Sequence, residues 1–175
     1  RRYEFYTHEM NREVVARLTL EGRLRAAVEK GAFELWYQPQ IDLRTEAIVG
    51  AEALIRWRED DGSLISPGEF IPVAEQTGLI IPMGEWALRK ACEDARALRD
   101  EGLPAIDFSV NVSGHQLGRP GFAEMVERIL AETGMPAENL KLELTESSIM
   151  TRIKGVTDAL RALGELGVRL AVDDF

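Results

Sequence analysis

The spacing of apolar and polar residues along the chain predicts helices and strands in alternation. Residues 11–30 repeat apolar positions with a helical period, and residues 33–38 and 48–57 alternate as strands do. The stretch Ser66-Pro67-Gly68-Glu69 has the spacing of a capping box with proline at the first helical position. It predicts a short helix that begins there.

The second half of the chain repeats a strand–helix unit. A helix is predicted over residues 84–101, and the strands at 106–112, 140–145 and 168–173 are separated by helices at 120–133 and 151–166. Strands separated by helices of this length are typical of parallel βα units with right-handed crossovers. The pattern therefore predicts an α/β fold with about five strands.

Polar residues share one face of these strands, because side chains alternate between faces along an extended chain. In the second strand Glu52, Leu54 and Arg56 point together. The polar faces of the later strands carry Ser109 and Asn111, then Lys141, Glu143 and Thr145, then Arg169 and Asp173. Since helices must cover the aliphatic faces, the polar faces are expected to look into a barrel or a crevice.

Four of these residues, Glu52, Asn111, Glu143 and Asp173, are expected to converge late in their strands, where barrel enzymes place their sites. Three carboxylates and an amide oxygen suit Mg²⁺ or Mn²⁺ better than zinc. The neighbouring Asp174 could hold a second ion, as in two-metal phosphodiester hydrolysis. The alternative is that inward polar residues only bond one another, but clustered carboxylates without a cation would repel.

Composition narrows the possible functions. The 175 residues suffice for one domain, and a net charge of −9 argues against a DNA or RNA groove. The single cysteine, Cys92, excludes an internal disulfide and indicates a reducing, cytoplasmic location. Neither a membrane-length apolar run nor a signal peptide is found, so this segment is expected to make no membrane contact. Because Arg1 stands first, the chain is expected to be a piece of a longer protein, which could be membrane-anchored through other domains.

Several motifs occur in a fixed order along the chain. They are Tyr37-Gln38-Pro39, Glu52-Ala53-Leu54-Ile55-Arg56, PGEFIPVAEQTGL at 67–79, Asn111-Val112-Ser113, Glu143-Leu144-Thr145-Glu146-Ser147 and Asp173-Asp174-Phe175. With these motifs, residues 33–175 resemble the EAL-domain family, which hydrolyses the bacterial second messenger cyclic di-GMP to linear pGpG.

The resemblance implies a modified TIM (β/α)₈ barrel with an antiparallel first strand, of which about the first five strands are present. It implies that Glu52, Asn111, Glu143 and Asp173 bind one Mg²⁺ or Mn²⁺ ion and that Asp174 serves a second. Glu52, Asp173 and Asp174 are then the catalytic residues. Gln38, Leu54 and Arg56 match positions that contact the dinucleotide, and Glu146 matches a carboxylate that steadies a loop.

The resemblance also sets the expected domain limits. Residues 32–175 match the family domain without its last strands, which carry a catalytic Lys and a further metal-binding Glu, so the fragment alone is expected to be inactive. Residues 1–31 resemble a leader or connecting helix, and their first eleven residues resemble the tail of a preceding GGDEF diguanylate cyclase domain. The resemblance also implies that the full protein carries sensor domains and that it forms a homodimer through its EAL domains.

Two further interpretations remain open at this stage. A degenerate family member would bind cyclic di-GMP as a receptor without cleaving it, and a purely structural module would bind neither metal nor nucleotide. The other candidate residues are expected to be unremarkable: His115 lies in a loop, Cys92 fills the core, and Trp36, Trp57 and Trp86 pack, although Trp57 follows Arg56 and could flank a guanine.

Overall fold

The computed structural model describes residues 8–145 and 156–173. In chain order the elements are helix α1 (His8–Lys30), strands β1 (Phe33–Ile41), β2 (Ile48–Arg58) and β3 (Leu64–Ile65), helices α2 (Pro67–Thr77) and α3 (Ile80–Asp100), strand β4 (Asp107–Val112), helices α4 (Gly114–Leu117) and α5 (Phe122–Thr133), a 3₁₀ turn (Ala137–Asn139), strand β5 (Leu140–Thr145), helix α6 (Val156–Glu165) and strand β6 (Arg169–Asp173).

The described strands form one mixed sheet. Its order is β1-β2-β4-β5-β6, and the short β3 pairs with the end of β2. Strands β1 and β2 form an antiparallel hairpin, whereas β2, β4, β5 and β6 run parallel. The predicted α/β architecture and the antiparallel first strand are both confirmed.

The core lies between the outward face of the sheet and the helices. The alternate residues Phe108, Val110 and Val112 of β4 are buried, as are Leu140, Leu142 and Leu144 of β5. They pack against apolar residues of α3, α5 and α6 in one continuous cluster. This burial leaves the opposite, polar face of the same strands for the site.

A second core cluster joins the first two helices to the end of the hairpin. Trp57 and Phe70 meet edge to face with ring centroids 5.8 Å apart, and Leu24 and Ala27 of α1 are buried in the same cluster. The arrangement of the aromatic pair is the one that the ring quadrupoles favour. The second half of α1 therefore packs on the domain, while the domain limit at residues 31 and 32 stays a prediction.

Some local predictions were wrong. Ser66 is the N-cap of α2, and Pro67 follows it as predicted, but the Ser66 side chain makes no capping bond. The N–H of Glu69 donates instead to the carbonyl oxygen of Ser66 at 2.9 Å. Helix α3 begins at Ile80, earlier than predicted, because proline is tolerated in a first helical turn.

Other elements were not predicted or lie partly outside the described residues. Strand β3 and helix α4 were not predicted from the sequence. The predicted helix at 151–166 corresponds to α6, and its first five residues lie outside the described part of the chain. Among the described helices, none combines the length and the apolar character that crossing a membrane requires.

Candidate active site

The register of the β1–β2 hairpin brings the predicted dinucleotide-binding residues to one face. Gln38 pairs with Glu52, Trp36 with Leu54, and Glu34 with Arg56. Residues directly opposite each other in an antiparallel pair share a face. The alternate β1 residues, Leu35 and Tyr37, pack against the core instead. The polar stripe of the hairpin is thus set by strand alternation.

Glu52 and Asn111 meet on this face. The Nδ2 atom of Asn111 donates a hydrogen bond to Oε1 of Glu52 at 2.8 Å, although 59 residues separate them in sequence. The expectation that each site residue lies late in its strand is wrong for Glu52, which lies in the middle of β2. The reason is that β2 continues beyond its parallel pairing with β4, which ends at Ala53, to pair with β1 and β3.

Glu143 lies beside Asn111, its register partner across the β4–β5 ladder. Its side chain is buried, and its Oε1 lies 3.0 Å from Nζ of Lys141. The ammonium of Lys141 also lies 3.5 Å from Oε1 of Gln40. A buried carboxylate needs a cation or donors nearby, and Lys141 supplies that compensation for Glu143.

The remaining predicted site residues are described only in part. Asp173 is the register partner of Thr145, so its backbone lies one strand beyond β5 on the same sheet. Its side chain, and all of Asp174 and Glu146, lie outside the described residues. Their predicted roles as metal ligands and as a loop anchor therefore remain predictions.

Tyr37 fixes the hairpin to helix α3. Its hydroxyl donates to Oδ2 of Asp94 at 2.7 Å, and Nζ of Lys90 lies 2.6 Å from Oδ1 of the same carboxylate. The ring packs edge-on against Phe108 with centroids 5.6 Å apart. Burial, followed by the bond to Asp94, raises the pKa of the Tyr37 hydroxyl far above its usual value. A neutral, anchored Tyr37 therefore holds its neighbour Gln38 in place.

The loop after β4 is fixed by a capping box at α4. Oε1 of Gln116 accepts hydrogen bonds from the N–H of Ser113 at 3.0 Å and from its hydroxyl at 2.9 Å, while the Gln116 N–H donates to Oγ of Ser113 at 3.3 Å. This reciprocal pair satisfies backbone donors at the helix start. Because Ser113 follows Asn111 by two residues, the box also fixes the end of the strand that carries Asn111.

The comparison with known protein families decides the family of this fold and site. The family profile described as "EAL domain" matches residues 21–175. The chain belongs to the EAL-domain family.

Relatives and solved structures agree with this assignment. The chain is 36% identical over 173 residues to MucR of Pseudomonas aeruginosa, a bifunctional diguanylate cyclase/cyclic di-GMP phosphodiesterase. This match covers 99% of this chain and 25% of that protein. It is 37% identical to the signaling protein YkoW of Bacillus subtilis over 174 residues, covering 99% of this chain and 22% of that protein.

The solved structures show the same fold. The MucR phosphodiesterase in complex with c-di-GMP superposes with a TM-score of 0.84 at 36% identity, over 90% of this chain and 64% of that one. The EAL enzyme Bd1971, bound to cAMP and cyclic-di-GMP, superposes with a TM-score of 0.85 at 32% identity, over 93% of this chain and 45% of that one. The described sheet is thus part of a TIM-barrel-like domain. The chain spans between 22% and 53% of the length of the curated relatives that it matches first.

EAL domains are metal-dependent. In this EAL chain, two carboxylates and one amide lie on the polar face where the ions were predicted. The side chains that the structure describes contain no group of three or more His, Cys, Asp or Glu residues close enough to hold a metal ion. Two of the five predicted ligands, Asp173 and Asp174, have side chains outside that set.

An apolar cavity of about 350 Å³ lies elsewhere, beside the start of β4. Leu98, Phe108 and Met135 are among its lining residues. Phe108 points away from the polar face, so this cavity lies on the helix side of the sheet. It is separate from the EAL site.

Three residues that were treated as secondary from the sequence have defined positions. Cys92 fills the core as predicted, and burial raises the pKa of its thiol to about 12. His115 lies exposed on α4 rather than in a loop. Trp57 is 2% exposed within the second core cluster, so the idea that it could flank a guanine is wrong.

Sequence reasoning missed Trp36, which was expected to pack but lies on the site face. Its side chain is 47% exposed, and the guanidinium carbon of Arg56 lies 5.3 Å from its ring centroid. Strand alternation could have found it, because Trp36 has the parity of Gln38 rather than that of Leu35 and Tyr37.

Proposed function

We propose that this chain supplies part of the active site of a cyclic di-GMP phosphodiesterase, which hydrolyses one phosphodiester bond to give linear pGpG. The observation that carries the proposal is the hydrogen bond between Asn111 and Glu52, with Glu143 beside Asn111. It joins the first two predicted metal ligands across the sheet, on the face that also carries Gln38, Leu54 and Arg56. The names of the relatives support the same substrate.

The donor set fits a hard divalent cation. Glu52 and Glu143 offer carboxylate oxygens, and the Asn111 amide, whose nitrogen is held by Glu52, offers an oxygen on its other arm. Oxygen ligands of this kind suit Mg²⁺ or Mn²⁺. We assign these three residues with Asp173 to one ion and Asp174 to a second. The bound ions would polarise the phosphate and lower the pKa of the attacking water.

The other residues of the face bind and orient the substrate. Arg56 is half-buried, and its planar guanidinium can pair with a phosphate through two donors. Gln38 offers an amide and Leu54 an apolar surface beside it. In the reaction the water oxygen forms a bond to phosphorus and the bond from phosphorus to a ribose 3′ oxygen breaks. The proton ends on that leaving oxygen, which gives the linear product.

The test uses the natural protein that carries this chain, incubated with cyclic di-GMP and either Mg²⁺ or Mn²⁺. We expect pGpG as the product by chromatography, and Glu52→Gln should lower turnover by at least about 100-fold, because even outer partners of a metal contribute 10- to 100-fold. The matched control is Glu127→Gln, an exposed carboxylate on the outer helix α5, which should leave turnover unchanged.

Two results would contradict the proposal. Folded wild-type protein that binds cyclic di-GMP but forms no pGpG would be a receptor instead. Full activity in Glu52→Gln would mean that the ligand assignment is wrong.

The cellular setting is part of the same proposal. We place the domain in the cytoplasm, because the proposed substrate, cyclic di-GMP, is an intracellular messenger. The single cysteine of the chain agrees with a reducing compartment. Pairing with a second EAL domain, and a neighbouring GGDEF domain as in a bifunctional protein, complete the proposed arrangement.

A further inference from the structure

Trp36 differs from the other two tryptophans in its surroundings. Trp57 is buried in the core, and Trp86 packs against Phe33 with ring centroids 6.1 Å apart. Trp36 instead lies on the polar face of β1, opposite Leu54, with 47% of its side chain exposed. Burial of aromatic rings is strongly favourable, so a ring left half-exposed at a polar site is a candidate for ligand contact.

Hydrogen bonds and stacking hold this ring in place. Nε1 of Trp36 donates to Oε1 of Glu34 at 2.9 Å, and the same oxygen lies 2.6 Å from NH2 of Arg58. The bonds from Arg58 and then from Trp36 lower the pKa of Glu34, so its carboxylate stays ionised as an acceptor. The ring is therefore oriented before any ligand arrives, which reduces the entropy lost on binding.

Arg56 joins Trp36 to the phosphate-binding part of the face. Its guanidinium lies over the Trp36 ring at 5.3 Å, and its NH1 donates to the carbonyl oxygen of Ile55 at 2.9 Å. The guanidinium thus lies over the indole ring, next to Leu54, which faces Trp36 across the hairpin. A flat base can stack against such a surface while its phosphate lies near the guanidinium.

We propose that Trp36, oriented by Glu34 and backed by Arg56, is the platform on which one guanine base of the cyclic dinucleotide stacks. This inference rests on the proposed function and adds a specific residue to it. Stacking on an indole depends on the size of the base more than on its hydrogen-bonding groups. Trp36 therefore contributes affinity for a purine dinucleotide and leaves the chemical step to the carboxylates.

The test compares steady-state kinetics on cyclic di-GMP for wild type, Trp36→Ala, Trp36→Phe and Trp36→Leu in the natural protein. Base–aromatic stacking is worth enough that Trp36→Ala should raise KM about tenfold or more, while kcat stays within about threefold. Trp36→Phe should restore KM to within about threefold of wild type. The matched control is Ile41→Ala, which truncates a 53% exposed side chain at the far end of the same strand and should change neither value.

Each outcome discriminates. An unchanged KM in Trp36→Ala, or a loss of kcat with KM unchanged, overturns the platform. If Trp36→Ala lowers the thermal midpoint, Trp36→Leu becomes the test, because leucine keeps an apolar side chain but has no π face. A wild-type KM in Trp36→Leu would also overturn the platform. If wild type binds cyclic di-GMP without cleaving it, dissociation constants replace KM and only the phosphodiesterase proposal fails. If wild type neither binds nor cleaves it, both proposals fail.

Discussion

Replacing Gly84 by alanine is expected to destabilise the domain, although the same change in a helix interior normally stabilises. Gly84 lies in α3, and a Cβ atom built there would overlap the side-chain amide of Gln116. Gln116 is 5% exposed and is held by both bonds of the capping box with Ser113. The amide therefore cannot move aside without breaking those bonds.

The magnitude follows from the terms that change. Alanine gains about 1 kcal/mol over glycine from helix propensity. Loss of the Ser113 cap costs about 0.5–2 kcal/mol, and a buried Gln116 amide without partners costs about 1–3 kcal/mol. The net expectation is a loss of about 2 kcal/mol of unfolding free energy. For a domain of this size that corresponds to a fall in Tm of about 4–8 °C.

The assay is thermal and urea unfolding of the protein that carries this chain, followed by circular dichroism and tryptophan fluorescence. The matched control is Gly164→Ala in α6, because a Cβ at Gly164 meets nothing within 4 Å. That variant should be as stable as wild type or up to about 1 kcal/mol more stable. A double-mutant cycle with Gln116→Ala should show coupling, since the second change removes the overlapping group. A Gly84→Ala protein as stable as wild type would refute the reasoning.

Two more predictions concern the strands. Tyr37→Phe removes the bond to Asp94 and should cost about 1–2 kcal/mol at neutral pH. Because the folded-state pKa of Tyr37 is raised, its contribution to stability is complete below about pH 10 and falls above it. The stability deficit of Tyr37→Phe should therefore shrink in alkaline urea titrations, by up to about 1.4 kcal/mol per pH unit and by less at this half-buried ring, because solvent screens it. A deficit that grows with pH would contradict this prediction. Ser109→Ala should raise stability by about 1 kcal/mol in the same unfolding assay, because Oγ of Ser109 is fully buried and has no partner among the described residues, and a loss of stability would contradict that.

Strand alternation made much of the site predictable from the sequence. It placed Glu52 with Leu54 and Arg56, and Asn111 and Glu143 opposite the aliphatic residues, because each strand buries one face only. It could not give the side-chain partners. The bond from Asn111 to Glu52 depends on the lateral register of two strands that lie far apart in the chain. The ion pair of Glu143 with Lys141 lies within one strand, but the rotamers that bring the two groups together are not set by alternation.

Local motifs were less reliable than alternation. The spacing from Ser66 to Glu69 predicted a capping box, but the Ser66 carbonyl took the N–H that its hydroxyl would have bound. The box that forms uses Ser113 and Gln116. At each helix start the backbone carbonyl and the serine hydroxyl compete for the same N–H donor. The three-residue spacing of the motif does not predict which acceptor wins. The burial of Trp57, by contrast, agrees with alternation, since Trp57 has the parity of the buried Ala51 and Ala53, and helices α1 and α2 cover it.

The paired register of the hairpin constrains how this surface can change during evolution. Glu34, Trp36 and Gln38 each face a residue of β2 across the ladder, and the one irregularity in that pairing falls after Gln40, beyond all three. Insertions in the exposed turn at 42–47 leave these pairs in step. A single residue inserted among the three pairs would instead turn the side chains on one side of the insertion towards the helices. Variation in loop length is therefore tolerable here, whereas variation in strand length is not.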